Sequence, residues 1–400
     1  MPGPTTKPHG KNLFASRMAK TPKSFIREIL KMTEKPEVIS FAGGLPNPSL
    51  FAVEELATAA RDVMADAGRA ALQYSTTEGY LPLREFIAER YRQRLGLSVG
   101  PDEILITNGS QQCLDLIGKV FLDPGDPVFI ERPGYLGAIQ AFSLYESAFR
   151  PVPLLDDGPD IDCLKAMLEE TPARLFYGVP NAQNPSGITY SEEKRRAIAA
   201  ALADTGTIFV EDDAYGELRF GESSVPALKS IDRESRVLYL GSFSQLLFPG
   251  MRIGYVLMPE ETRKEFLSVL ERTSGSTSSL VQHVINAFIE DRSLEVSLDL
   301  ARNSMASRMR ALCKSLDALL PRMPFEIPQG GIYLWLGTPG ISGDLAAEAA
   351  KRVGVGVVPG RLFSYPEEDI QAVRLSVSRL STVMIREAIG RVASAWNALT

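Results

Sequence analysis

The stretch GSFSQLLFPGMRIG, residues 241–254, sets two hydroxyls, Ser242 and Ser244, at alternate positions of a strand end. It then turns the chain at Pro249-Gly250 and opens the next strand with Arg252. Two hydroxyls and a planar guanidinium brought together make a phosphate grip. A second candidate is TNGSQQCLDLIGKVF, 107–121, where the Asn108-Gly109 turn leads into a helix opened by Ser110 and Gln111. Free backbone N–H groups and the helix dipole at such a start favour an anion. In VEDDAYGEL, 210–218, the carboxylates of Asp212 and Asp213 and the phenol of Tyr215 end a strand. A carboxylate buried beside a basic ring nitrogen would hold that nitrogen protonated. NAQNPSG, 181–187, ends another strand and projects the Asn184 amide where ligand sites of α/β sheets lie. Each segment taken alone also reads as a capped helix or a polar strand end. Taken together, they suit one phosphorylated, nitrogen-containing aromatic cofactor.

The elements that would position these groups are legible as a rhythm. DPVFIE (126–131), ARLFYGVP (173–180), GTIFVEDD (206–213), RVLYLGSFS (236–244) and RIGYVLMP (252–259) are short, β-rich runs. Most are too apolar to alternate, as strands covered on both faces are. Amphipathic segments lie between them, among them DIDCLKAMLEE (160–170) and SEEKRRAIAAALADTG (191–206), the latter with Ser191 as N-cap and two glutamates behind it. The pattern predicts an α/β domain with a largely parallel sheet. After about residue 295 a long helical pattern leads into FEIPQGGIYLWL, GDLAAEAAKRVG, VGVVPG and AVRLSVS, the texture of a smaller α+β domain. The expected division is 1–50, an N-terminal segment with a helix pattern (KSFIREILKMTEK) packing on the small domain; 51–295, the large domain; and 296–400, the small one.

Bulk properties narrow the function classes. With 400 residues, 44% hydrophobic, 23% charged and a net charge of −6, the chain reads as an ordinary soluble protein with two domains. It carries no long run of like charge for nucleic acid or a membrane surface. No apolar run reaches the roughly 18 residues of a span, and the N-terminus lacks a signal peptide's apolar core. Three scattered cysteines, Cys113, Cys163 and Cys313, suit reduced thiols in a cytoplasm and read as buried small hydrophobes. His9 and His283 are the only histidines, which argues against a His-rich metal site and a Ser–His–Asp triad; no metal is expected.

From SFIREIL and FAGGLPNPSLF through QYSTTEGYLPLREFI to VRLSVS, nearly the whole chain resembles the fold-type I pyridoxal-phosphate (PLP) enzymes of the class I/II aminotransferase family. It is most similar to the subgroup of 2-aminoadipate and broad-specificity aminotransferases. The resemblance implies amino-group transfer between an α-amino acid and a 2-oxo acid, and a homodimer. Ser110, Gln111, Ser242, Ser244 and Arg252 would bind the cofactor phosphate, and Tyr74 would reach the phosphate of the neighbouring subunit. Tyr135 would stack on the pyridine ring, Asn184 and Tyr215 would hydrogen-bond the ring hydroxyl, and Asp212 would pair with the ring nitrogen. Arg374 would clamp the substrate α-carboxylate, with a backbone contact from Gly44. Arg27 would meet an acidic substrate side chain.

One position departs from the family. After Ser-Phe-Ser the family has the lysine that carries the cofactor covalently and moves the substrate proton; here Gln245 stands. A carboxamide is neither nucleophile nor useful base near neutral pH. Lys229 and Lys119 lie in the wrong segments to substitute. PLP or pyridoxamine phosphate would therefore be held without a covalent link. Three explanations stay open: a residue changed to trap a substrate complex, a natural lysine-free enzyme, or a non-catalytic binding or sensing protein. Sensors on this fold carry an N-terminal DNA-binding domain, and the residues before FAGGL are too few for one.

Overall fold

The computed structural model describes residues 14–20, 38–221, 225–291 and 293–399. Its short first strand β1 (Ile39–Ser40) belongs with the far end of the chain and is taken up below. The central sheet has eight strands: β2 (Ile104–Thr107), β3 (Pro127–Arg132), β4 (Ala148–Leu155), β5 (Gly158–Pro159), β6 (Leu175–Gly178), β7 (Ile208–Asp213), β8 (Val237–Ser242) and β9 (Gly254–Leu257). Their spatial order is β2-β9-β8-β7-β6-β3-β4-β5. The run β8-β7-β6-β3-β4 is parallel, β9 is antiparallel to both its neighbours, and β5 is antiparallel to β4. β2 and β8 therefore point the same way across β9. The carboxyl ends of β2, β3, β6, β7 and β8 meet at one edge of the sheet, where ligands of such sheets bind.

Every residue of β2, β6, β8 and β9 is buried. That explains why their sequences show no alternation: both faces are covered. ILIT at 104–107 and the half-exposed AFRPVPLL of β4 give no strand pattern, the first because three apolar residues and a threonine have no period to read. The helices between strands begin where their caps say. Ser191 accepts from Lys194 N at 3.1 Å at the head of Glu192–Leu202, and Asp160 accepts from Cys163 N at 3.0 Å at the head of Ile161–Glu170. Each cap is worth about 1 kcal/mol.

A second sheet is formed by β10 (Tyr333–Gly337), β12 (Val358–Pro359) and β13 (Ala372–Ser376), with β13 in the middle and all pairs antiparallel. Beside it β11 (Val355–Gly356) pairs in parallel with β1. The chain after β1 continues along β13, where Ser376 N donates to Phe41 O at 2.9 Å. Residues 41–47 thus form a strap from the small sheet toward the edge of the large one. The helix Ser293–Leu319 and the helix Thr382–Asn397 close the core on this side, the latter through the fully buried Trp396, whose Nε1 donates to Ala346 O at 2.8 Å. The expected N-terminal helix KSFIREILKMTEK, and Arg27 with it, lies outside the described residues. No helix among the described residues is long and apolar enough to cross a membrane.

Candidate active site

A cavity of about 720 Å³ opens at the shared strand edge, between the large sheet, the small sheet and the strap. The anion end comes first. Gly109, at φ +77°, ends the turn after β2, and the helix Ser110–Phe121 begins at the cavity wall. A Cβ on Gly109 would lie 2.3 Å from Arg252 Nη2, so only glycine lets the guanidinium approach the helix start. A Cβ on Gly254 would meet Ser110 N at 2.6 Å, so β9 itself lies against that start. Arg252, held at φ +54°, donates from Nη1 to Ser244 Oγ at 3.3 Å and to Pro249 O at 3.2 Å. Ser242 Oγ accepts from Ser244 N at 3.1 Å and so shapes the turn that presents Ser244. Gln111 Nε2 donates to Gly137 O at 3.1 Å, fixing the helix start to the segment that carries Tyr135. Helix N–H groups, hydroxyls and a guanidinium converge, which is the donor chemistry of a phosphate site.

Next to it stands a carboxylate. Strand β7 alternates, sending Glu211 and Asp213 to one face and Asp212 to the other. Glu211 accepts from Leu228 N and Lys229 N at 3.0 and 2.9 Å, and Asp213 from Asn181 Nδ2 at 2.8 Å and from the Tyr239 hydroxyl. Only Asp212 of the three lines the cavity. It is 5% exposed and accepts from the Tyr177 hydroxyl at 2.6 Å. Burial pushes its carboxyl up to about 6, against the opposing pull of that hydrogen bond. A buried carboxylate of this kind lacks a cation, and a protonated ring nitrogen would be one. Tyr135 forms the wall above, its ring 6.5 Å from that of Tyr177 and tilted from it by 24°.

The third charged group is Arg374, on β13 and 4% exposed. Nη1 donates to Asn184 Oδ1 at 3.0 Å and Nη2 to Ala42 O at 2.7 Å, while the buried Nε has no partner. The Tyr333 ring faces the guanidinium at 4.4 Å and the Phe363 ring at 4.9 Å. Tyr215 meets Tyr333 edge-on at 5.9 Å. Gly44, on the strap, leaves no room for a side chain: a Cβ would stand 1.9 Å from the Tyr333 hydroxyl oxygen. Gln245 is half-buried, also lines the cavity, and its Nε2 donates to Gly44 O at 3.1 Å.

The structure therefore gathers Gly44, Ser110, Gln111, Tyr135, Asn184, Asp212, Tyr215, Ser242, Ser244, Gln245, Arg252 and Arg374 around one cavity. Tyr74 is not among the groups lining it; its side chain is 97% exposed on the surface. Among the described residues no lysine lines the cavity. Lys229 Nζ is taken up by Val237 O at 3.0 Å, and Lys119 pairs with Asp115. The groups fit a phosphorylated pyridine with a carboxylate-bearing substrate, one charge partner for each.

Comparison with known proteins agrees. Residues 37–392 match the family Aminotransferase class I and II. The 2-aminoadipate transaminase of Thermus thermophilus is 39% identical over 381 residues, 94% of each chain. The crystal structure of α-aminoadipate aminotransferase from the same species, complexed with N-(5'-phosphopyridoxyl)-L-leucine, superposes with a TM-score of 0.89 at 37% identity, covering 96% of this chain and 97% of that one. Kynurenine aminotransferase of Pyrococcus horikoshii, solved in complex with PMP, gives 0.91 at 36% identity, with coverage of 96% and 97%.

The chain belongs to the aminotransferase class I and II family. Its α/β architecture is the fold-type I one expected from the sequence. Within this aminotransferase fold, sequence reasoning missed Tyr177, Tyr333, Phe363 and Gln140, which also line the cavity. Tyr177 left a faint signal, a lone phenol in the otherwise apolar strand LFYG. The other three sit in ordinary apolar or helical contexts and left none.

Proposed function

We propose that this aminotransferase-family protein binds PLP or pyridoxamine phosphate non-covalently, with an α-amino acid or 2-oxo acid beside it, and that Gln245 occupies the position of the family's lysine. The observation that carries this reading is the convergence of Arg252 at a helix start, Asp212 and Arg374 in one cavity. Ser110, Gln111, Ser242, Ser244 and Arg252 hold the phosphate; Asp212, kept in place by Tyr177, partners the ring nitrogen. Tyr135 stacks on the ring, and Asn184 and Tyr215 face its hydroxyl. Arg374 takes the α-carboxylate on its remaining donors, helped by Gly44. Tyr74 acts on the site of a second copy, in a homodimer, and Arg27 meets an acidic substrate side chain. When bound, the cofactor supplies an electron sink for bond cleavage at the substrate Cα. Gln245 moves no proton, so amino-group transfer is very slow in this chain until a lysine is restored. The division into an N-terminal segment (1–50), a large domain (51–295) and a small domain (296–400) belongs to the same proposal, supported by the pairing of β1 with β11. So does a cytoplasmic location.

The test follows bound cofactor by mass spectrometry after PLP-loaded protein meets a panel of amino acids, with Gln245→Lys in parallel. Conversion to pyridoxamine phosphate only in the lysine variant supports the reading; conversion by both overturns the role given to Gln245. A second reading, a ligand-binding or sensing protein, is favoured by the absence of lysine from the described cavity wall. Binding without conversion in both proteins would select it.

A further inference from the structure

The carboxamide of Gln245 has one arm engaged and one arm free, and which is which is fixed by its partner. Gly44 O can only accept, so the amide must turn its –NH₂ toward it, at 3.1 Å. The oxygen Oε1 then occupies the other arm and is not among the buried atoms left without a partner, on a side chain that lines both this cavity and the small one lined by Pro46 and Phe51. A flip of the amide would set two oxygens against each other and leave the Gly44 carbonyl unbonded. The strap that carries Gly44 is anchored just before it, because Phe41 O accepts from Ser376 N at 2.9 Å and Ala42 O from Arg374 at 2.7 Å. Gln245 therefore keeps an acceptor free of Gly44, on a side chain at the wall of the cavity that holds Ser244 and Arg252.

We propose that Gln245 selects the amine form of the cofactor: Oε1 accepts a hydrogen bond from the aminomethyl nitrogen of pyridoxamine phosphate, and meets the aldehyde oxygen of PLP as a second, repelling acceptor. This rests on the reading of the cavity as a vitamin B6 phosphate site. No bond is made or broken. An aminomethyl group is protonated near neutral pH, and a hydrogen bond to a charged donor outweighs a neutral one. The preference expected is about tenfold or more in dissociation constant.

The experiment measures dissociation constants of pyridoxamine phosphate and PLP by calorimetry on the full chain and on two variants. Gln245→Met conserves size and removes both polar arms; Gln245→Glu turns a carboxylate away from the Gly44 carbonyl and gives the amine a charged acceptor. The expected result is a preference for pyridoxamine phosphate in the parent, its loss in Gln245→Met and its retention in Gln245→Glu. Equal affinities in the parent, or a preference that survives Gln245→Met, overturns the role of Oε1 while leaving the cofactor site standing. If neither compound binds the parent, the cofactor reading fails along with the inference.

Discussion

Arg374 and Asn184 are joined across the cavity: the guanidinium Nη1 donates to the amide Oδ1 at 3.0 Å, from positions 190 residues apart. The bond turns the Asn184 –NH₂ toward the remaining space and leaves Arg374 Nε without a partner. Arg374→Lys keeps the charge and loses the fork geometry. It should weaken amino-acid binding to the cofactor-loaded protein about tenfold or more, the equivalent of one charge-assisted hydrogen bond. Cofactor affinity should change little. A titration followed by cofactor absorbance separates the two, and undiminished amino-acid binding would remove Arg374 from the carboxylate site.

Asp212 makes the stability of the cofactor-free protein depend on pH. Its carboxyl titrates at about 6 when folded and at about 4 when unfolded. The folded chain therefore holds an extra proton between those values. The stability this group contributes is full below about 4 and is lost as pH rises through 6, a difference of about 3 kcal/mol at neutral pH. Asp212→Asn removes that dependence. The variant should melt higher than the parent above pH 7, with the gap closing between pH 6 and 4, and should bind the cofactor more weakly. Parallel melting curves at any pH in that range, with no change in the gap, would contradict the assignment.

Gly109→Ala tests the phosphate grip without touching a polar group. The methyl would sit 2.3 Å from Arg252 Nη2 at a backbone φ of +77°. With ψ at 166° this is backbone that essentially only glycine adopts, and strain of about 1–3 kcal/mol is expected from it alone. Displacement of the guanidinium should cost a further tenfold or so in affinity for inorganic phosphate and for the cofactor. Gly96→Ala is the control: φ is +64° and nothing lies within 4 Å of its Cβ. It should lower stability and leave phosphate affinity alone. Equal affinity losses in the two variants would mean that strain, rather than Arg252, is being measured.

Tyr74, exposed at 97%, has a use in the proposed function only if a second copy brings its cavity alongside. Mixing Tyr74→Ala with Arg374→Ala subunits tests this. In a hybrid dimer, one cavity would combine the intact Arg374 of one chain with the intact Tyr74 of the other. Amino-acid binding should reappear at one site per hybrid. If Tyr74 acted within its own chain, no intact site could form and the mixture would stay inert.

Much of the site was legible because its motifs are local. The turn before Ser110, the Ser242–Ser244 alternation, the Pro-Gly turn before Arg252 and the pair Asp212-Asp213 each announce a strand end or helix start within ten residues. The period of the chain also chooses the strand edge, since short apolar runs joined by helices must run parallel. The choice between Asp212 and Asp213 needed the sheet's faces, which alternate but have no sign in the sequence.

By itself, then, the sequence determined the α/β architecture, the chemistry gathered at the strand ends and the absence of lysine after Ser-Phe-Ser. It did so because backbone period, capping and turn residues act over a few positions. Tertiary structure alone decided that Tyr177 backs Asp212, that Tyr333 and Phe363 face Arg374, and that the strap closes the cavity. It also decided that the Gln245 amide donates to the Gly44 carbonyl. Gln245 and Gly44 are 201 residues apart, and Arg374 and Ala42 are 332. No local pattern reaches so far: such pairs form only when the packing of both sheets brings the strap to the one place where its carbonyls find donors.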